Sequence, residues 1–346
     1  MTKVSVIGLF CTGRDVSDGQ SIKTRIITEE LEKALGAQHV RRIDTYGWKK
    51  HPVRLFSDSI RAVLQSENVI FMTDEGGIKI FPWLLLGANI FGKSKLHYIV
   101  IGDWLVPFLE KHSFIMSCLK GFHHIFAETT SMQAGLLGLG FQNVSLLPNF
   151  KNLMPLRQEQ LQSEWHEPYR FCTFSRVMRE KGIGDAVDAV RAVNAQYGRK
   201  VCELDIYGAV EPDETQWFRE LSRDFGDAIQ YCGVVSYDKT TEVLEPYFAL
   251  LFPTFFPKEG IPGTIIDAYA AGLPVIASKW KSFDDMVDDG ITGIGYPYLN
   301  NECLKEIISR VVANPDECLI MKSNCLRKAE QFLPENTMKI LLKELV

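Results

Sequence analysis

Along almost the whole chain, short runs of β-branched and other apolar residues alternate with stretches whose apolar positions recur at helical spacing. A run of the first kind suits a strand buried on both faces. A stretch of the second kind presents one apolar stripe of a helix, so the alternation predicts a parallel sheet covered by helices on both faces. In the first half, strands are expected at Val4–Leu9, Val40–Ile43, Val69–Met72, His97–Ile101, Ile125–Ala127 and Val144–Leu147. The clearest helix between them is Ile22–Leu35, where Ile22, Ile26, Ile27, Leu31 and Leu35 share a face. After Leu147 the pattern weakens into a polar stretch bounded by Pro148 and Pro168. It resumes with strands expected at Arg170–Phe174, Cys202–Tyr207, Ile229–Cys232, Ala249–Phe252 and Val275–Ala277. The fold class is therefore α/β, with two doubly wound domains facing a cleft. Residues 1–150 form the first, 151–168 a linker and 169–330 the second, and an amphipathic stretch over 331–346 closes the chain.

Composition refines this picture. A chain of 346 residues, 46% hydrophobic and 23% charged, is ordinary for a globular protein of two domains. The formal net charge of −5 divides unevenly: residues 1–150 carry 16 Lys plus Arg against 13 Asp plus Glu, and the remainder carries 22 against 30. A mildly basic first domain leaves open a peripheral contact with an anionic membrane or an anionic acceptor, and equally an ordinary scatter of surface charge. It lacks the dense basic stripe of a nucleic-acid binder. The eight cysteines include no Cys-x-x-Cys pair and no Cys/His cluster with zinc spacing, and read as buried thiols of a reducing cytoplasm. Met1–Cys11 alternates like a strand, so no secretion signal is expected. The segment Phe81–Phe91 is broken by Pro82 and Asn89 and falls short of the ~20 apolar residues of a membrane span. Ile78–Phe91, followed by Lys93 and Lys95, has two readings: a surface resting on a bilayer, or a helix covering the sheet. The covering helix is favoured, because the neighbouring strand needs one.

The richest chemistry follows the strand Ala249–Phe252. A loop rich in Pro and Gly carries Glu259, then Gly260, Ile261, Pro262, Gly263 and Thr264 lead into a helix that holds Asp267. A helix beginning there offers unpaired backbone N–H groups and the positive end of its dipole, which suits a phosphate. The bland alternative is that Glu259 and Asp267 only cap that helix. Upstream, Arg176 leaves the carboxyl end of the strand Arg170–Phe174, and Lys181 precedes a helix beginning after Gly182, so the two cations can converge on a diphosphate. Arg179 between them is read as solvent-facing. Near the N-terminus, the turn from Cys11 to Ser21, with Gly13 and Gly19, lets backbone approach a phosphate and is not a Gly-x-Gly-x-x-Gly dinucleotide loop.

These motifs resemble retaining GT-B glycosyltransferases of family 4, the glycosyl transferases group 1. The stretch from Glu259 to Asp267 is similar to their Glu-x7-Glu signature, with Asp in place of the second Glu, and Ala270–Ala277 is similar to the strand entry that follows it. Arg176 and Lys181 match their Arg-x4-Lys pair. The resemblance implies two Rossmann-like domains, an N-terminal one for the acceptor and a C-terminal one for a nucleotide-sugar donor, with the last helix returning to the first domain. It implies Arg176, Lys181 and Glu259 as catalytic residues, and donor binding by Gly13, Gly19, Gly260, Ile261, Pro262, Gly263, Thr264 and Asp267. Where many members carry a His, this chain reads Gly102-Asp103-Trp104, which leaves Asp103 as a sugar ligand, an acceptor ligand or a helix cap.

The implied substrates are a UDP- or GDP-sugar and a saccharide or lipid-linked saccharide acceptor, in the synthesis of a surface polysaccharide. No cofactor is implied. No Asp-x-Asp occurs, and His123 and His124 have no third ligand nearby, so no metal is expected either. The implied location is cytoplasmic, at most peripheral to the inner face of the plasma membrane. Two other readings stay open: a silent subunit of the same fold that scaffolds a partner transferase, and a nucleotide-sugar epimerase.

Overall fold

The computed structural model describes residues 2–13 and 19–345, and the chain divides into two compact units, Met1–Asn152 with Phe332–Val346, and Leu153–Gln331. The sheet of the first unit has six parallel strands: β1 (Thr2–Gly8), β2 (Val40–Asp44), β3 (Ser66–Met72), β4 (Lys95–Ile99), β5 (His124–Ala127) and β6 (Val144–Leu146). Their order is β2-β1-β3-β4-β5-β6, and the register sets Val6 beside Arg42 on one side and Ile70 on the other.

The near-continuous apolar runs are explained by burial on both faces. Val69 and Phe71 point to one face, where they meet Leu55 and Leu85 of the helices Pro52–Gln65 and Phe81–Asn89. Ile70 and Met72, one residue out of phase, point to the other. There the helix Gly19–Leu35 supplies Ile26, Ile27 and Leu31, and the last helix, Pro334–Leu345, supplies Met338, Leu341 and Leu345. Asn68 fastens that last helix by donating to the Leu345 carbonyl at 3.0 Å, while His97 Nε2 donates to Asn68 Oδ1 at 2.9 Å. Burial, with the charges of His123, His124 and Lys95, pushes His97 down to about 3, so its ring is a neutral structural donor.

The second unit is also a six-stranded parallel sheet, with β7 (Tyr169–Phe174), β8 (Cys202–Tyr207), β9 (Ile229–Gly233), β10 (Ala249–Phe252), β11 (Val275–Ser278) and β12 (Gly293–Tyr296) in the order β12-β11-β10-β7-β8-β9. Five of these six strands are among those the sequence pattern predicts. The sixth, β12, is hidden by its glycines. A Cβ on Gly293 would stand 2.3 Å from the Val275 carbonyl oxygen, so the close approach to β11 requires the residue that erases the apolar run. Part of the polar stretch read as a linker lies along this unit: Leu156 N–H donates to the Ala270 carbonyl at 2.8 Å, and Trp165 meets Phe248 edge to face at 5.4 Å.

Each sheet reverses its winding beside its first strand, between β1 and β3 in the first unit and between β7 and β10 in the second. Loops leaving the carboxyl ends of two such strands go to opposite faces and open a crevice between them. No helix among the described residues is long and apolar enough to cross a membrane. The segment with two readings divides by face. Helix Phe81–Asn89 buries Phe81, Pro82 and Leu85 in the core and leaves Trp83 exposed, with Ile90 and Phe91 exposed just after it.

Candidate active site

At the switch point of the second unit, backbone packing brings two loops together. Arg179–Lys181 forms one 3-10 turn, ended by Gly182 in the left-handed region at φ 72°. A Cβ on Gly182 would lie 2.1 Å from the Pro253 carbonyl oxygen, so only glycine lets this turn sit against the loop leaving β10. Phe255 N–H donates to the Glu180 carbonyl at 2.8 Å and fixes the approach. As a result Lys181 and Glu259, 78 residues apart in the chain, form an ion pair whose side chains are each only 9% exposed. The buried Thr254 hydroxyl donates to Glu259 Oε2 at 3.0 Å. Lys181 lies over the Phe256 ring at 4.9 Å from its centre, and Arg176 approaches the same ring at 5.9 Å. Arg176 is 49% exposed and pairs with Glu211. Two of the three residues expected to be catalytic, Arg176 and Lys181, therefore meet at one phenyl ring, and the third, Glu259, pairs with Lys181. Arg179 points elsewhere, pairing with Glu214 and lying over Trp217.

Glu259 leads into the helix Gly263–Ala270, whose N-cap position is held by Pro262 without a side-chain cap. Neither Glu259 nor Asp267 occupies that position, so the capping alternative does not describe this helix start. The backbone N–H groups of the first turn keep their intrinsic attraction for an anion. Thr264 stands in that turn, with a buried hydroxyl that has no hydrogen-bond partner among the described residues. Ile261 is buried, and the Gly260 carbonyl accepts from Trp280 Nε1 at 3.2 Å, which holds the loop. Asp267 follows inside the helix. It is 2% exposed and its Oδ1 accepts from Thr240 Oγ1 at 3.0 Å. The partners Thr254, Thr240 and Phe256 were not singled out from sequence. Thr254 and Phe256 stand in the loop between β10 and Glu259, but Thr240 carries no local signal.

In the first unit, Gly13 has φ 80° and Gly19 opens the helix Gly19–Leu35, while residues 14–18 of the predicted turn lie outside the described residues. The start of that turn is held by Asp44 at the end of the neighbouring strand β2, which sequence reading missed. Its carboxylate accepts from Phe10 N–H at 3.0 Å, Thr12 N–H at 2.9 Å, Thr12 Oγ1 at 2.8 Å and Tyr46 N–H at 2.8 Å. Burial pushes this carboxyl up, but the donors outweigh burial and hold it below the ordinary carboxylate value. Asp103 is buried beyond β4, and Trp104 rather than Asp103 takes the N-cap position of helix Leu105–Glu110. Nearby, Lys23 and Glu128 form a buried ion pair at 2.8 Å, and Gly102 N–H donates to Glu128 Oε2 at 3.2 Å. Among the described residues, no three His, Cys, Asp or Glu side chains gather as a metal site.

Residues 168–314 match the family described as glycosyl transferases group 1. The amylovoran biosynthesis glycosyltransferase AmsK of Erwinia amylovora is 24% identical over 156 residues, 44% of this chain and 38% of that protein, so the match spans well under half the length of this relative. Among solved structures, HepE of Anabaena in complex with UDP superposes with a TM-score of 0.76 at 14% identity over 99% of both chains. Sucrose-phosphate synthase from Thermosynechococcus elongatus superposes with a TM-score of 0.77 at 17% identity, over 100% of this chain and 99% of that one. Two parallel six-stranded sheets and these likenesses give the chain the GT-B fold, and its residues 168–314 are similar to the glycosyl transferases group 1.

Proposed function

We propose that the protein is a retaining, metal-independent glycosyltransferase. It moves a hexosyl group from a UDP- or GDP-sugar to a saccharide or lipid-linked saccharide acceptor in surface polysaccharide synthesis. The observation that carries this reading is the Lys181–Glu259 pair at the β7/β10 switch point, with Arg176 beside the same ring. Arg176, Lys181 and the N–H groups at Gly263 and Thr264 hold the diphosphate and stabilise the negative charge that grows on it. That role is usually given to a metal in sites rich in carboxylates. Glu259 holds hydroxyls of the donor sugar, and Asp267, with Thr240, lies toward the nucleoside. The bond from the anomeric carbon to the diphosphate oxygen breaks, and a bond from the acceptor oxygen forms on the same face. The acceptor's proton passes to the departing diphosphate oxygen, so no separate protein base is required. Gly13 and Gly19 are assigned to donor binding, and Asp103 to the sugar or the acceptor. The relative named for amylovoran biosynthesis supports a polysaccharide product.

The reading is tested by thermal unfolding of the full chain with UDP-, GDP- and ADP-sugars, followed by assay of donor hydrolysis in the presence of a chelator. A matching donor at about 100 times its Kd should add ~2.7 kcal/mol, which corresponds to roughly 5–10 °C for a unit of this size. It should also release free sugar slowly with its configuration retained. Stabilisation with the donor left intact would point to the silent scaffold, and no response to any nucleotide sugar would remove the proposal.

A lipid-linked acceptor also calls for a membrane contact. The exposed Trp83, Ile90 and Phe91, beside Lys93, suit the surface of an anionic bilayer. Sedimentation with phosphatidylglycerol vesicles is expected to fall about ten-fold in Trp83→Ser/Phe91→Ser and to weaken as salt rises. Equal sedimentation of the variant and the parent would exclude this face.

A further inference from the structure

The loop that leaves β10 carries an aromatic ring that both cations of the candidate site approach, and the fold holds that ring in place. Phe256 is half-buried. Its N–H donates to the Thr254 hydroxyl at 3.2 Å, and its carbonyl accepts from Glu259 N–H at 3.2 Å. One residue earlier, Phe255 is fastened through both backbone groups. Its N–H donates to the Glu180 carbonyl, as described above, and its carbonyl accepts from the Tyr298 hydroxyl at 2.8 Å. Pro257 follows, and a proline restricts the backbone of the residue before it. With its backbone tied on both sides, Phe256 has one place for its Cβ and few rotamers for its ring.

Lys181 Nζ lies over this ring at 4.9 Å from its centre and the Arg176 guanidinium at 5.9 Å, while Phe252 offers Lys181 a second ring at 5.8 Å. These are distances at which the negative face of a π-system attracts a cation. The choice of an aromatic residue here has an electrostatic reason. Lys181 is already matched by Glu259, and Arg176 by Glu211. A further carboxylate would orient the two cations but leave the group with an excess of negative charge, which would repel a phosphate. An aliphatic side chain would exclude water and exert no directional pull. The ring excludes water from part of both cations, attracts them to fixed places and cancels none of their charge, so their attraction for an incoming anion is kept.

We propose that Phe256 is a positioning residue: cation–π contact with its ring sets where the Lys181 ammonium and the Arg176 guanidinium stand, and a diphosphate is held tightly only with that ring in place. The ring acts through the cations and need not touch the substrate. Its contacts with them stand on geometry alone, whereas the identity of the anion as the diphosphate of a nucleotide sugar rests on the glycosyltransferase reading.

The test is titration calorimetry of the full chain with inorganic pyrophosphate, UDP and GDP, with donor hydrolysis followed alongside. Phe256→Leu removes the π-face and keeps apolar bulk, and Phe256→Met is a second variant without a ring. Both should bind pyrophosphate, and whichever nucleotide the parent binds, about five-fold more weakly, the loss of one partly exposed cation–π contact. In donor hydrolysis KM should rise and kcat fall together, since the same cations hold the diphosphate and meet the charge that grows on it. Phe256→Tyr keeps a π-face and should restore both. All measurements are made well below each variant's melting temperature, where a purely structural role would leave affinity and KM unchanged. Equal affinity in the parent and the variants without a ring overturns the proposal and leaves the glycosyltransferase reading standing, and so does a loss that Phe256→Tyr fails to restore. A parent that binds neither pyrophosphate nor either nucleotide overturns both. If binding behaves as stated and no nucleotide sugar is hydrolysed, Phe256 keeps its role at a diphosphate site and the transferase reading falls.

Discussion

Lys181→Met is expected to cut turnover about 10²–10³-fold, the usual cost of removing one donor that stabilises a developing anion. It should also lower stability, since Glu259 would be left in a mostly buried position without its cation. Breaking a buried pair from one side costs about 3–5 kcal/mol, and the Thr254 hydroxyl that still donates to Glu259 brings this case to the lower end. The double variant Lys181→Met/Glu259→Gln separates the two effects. With neither charge left alone, urea unfolding should recover most of the lost stability. Donor hydrolysis should stay low, because the diphosphate still lacks its cation. Turnover that recovers along with stability would make Lys181 a purely structural residue. Arg176→Ala provides the contrast. Its pair with Glu211 is half exposed, so stability should move by less than about 1 kcal/mol while turnover falls.

Lys322→Met is expected to stabilise the protein at neutral pH. Lys322 begins the helix Lys322–Ala329, is 2% exposed, and its amine has no hydrogen-bond partner among the described residues. Its favourable contact is with the Trp165 ring, 4.9 Å from the ring centre. Burial pushes the amine down from 10.5 to about 8. Below pH 8 the folded chain holds a charged amine at a cost of about 3 kcal/mol relative to the unfolded chain. Between pH 8 and 10.5 the unfolded chain binds more protons, so this cost shrinks and stability rises with pH. Methionine fills a similar volume and carries no charge, at the loss of a cation–π contact worth about 1 kcal/mol. The expected gain is about 2 kcal/mol, or roughly 5 °C in Tm at pH 7. The difference between the variant and the parent should diminish steadily from pH 8 to 10.5. A variant that melts lower at pH 7, with the parent's pH profile, would show that the amine is well paired in solution.

Much of the fold can be read along the chain because burial on both faces leaves a local mark. The strands β1, β3 and β10 carry apolar runs since each neighbour, above and below, excludes water. The places of Arg176, Lys181 and Glu259, just beyond strands and just before helices, follow from local pattern for the same reason. Where an element depends on a close approach rather than on burial of large side chains, that mark disappears. In β12, Gly293 is required by the carbonyl of β11, and the apolar pattern is lost with it.

The choice of partners is a different matter, because it depends on which carboxyl ends become neighbours. Parallel pairing of β7 with β10 brings Lys181 against Glu259 across 78 residues, with Gly182 permitting the contact. Pairing of β1 with β2 gives Asp44 the loop after β1 to hold. The helical phase of Gly263–Ala270 turns Asp267 inward to Thr240, a partner that no spacing announces. The sequence by itself determined every described strand but β12, a few helix starts and the kinds of charge that follow the strands of the site, since periodicity and propensity act over a few residues. Only the tertiary structure decided which of those charges pair and which is buried, because strand order and close packing set these through contacts distant in the chain.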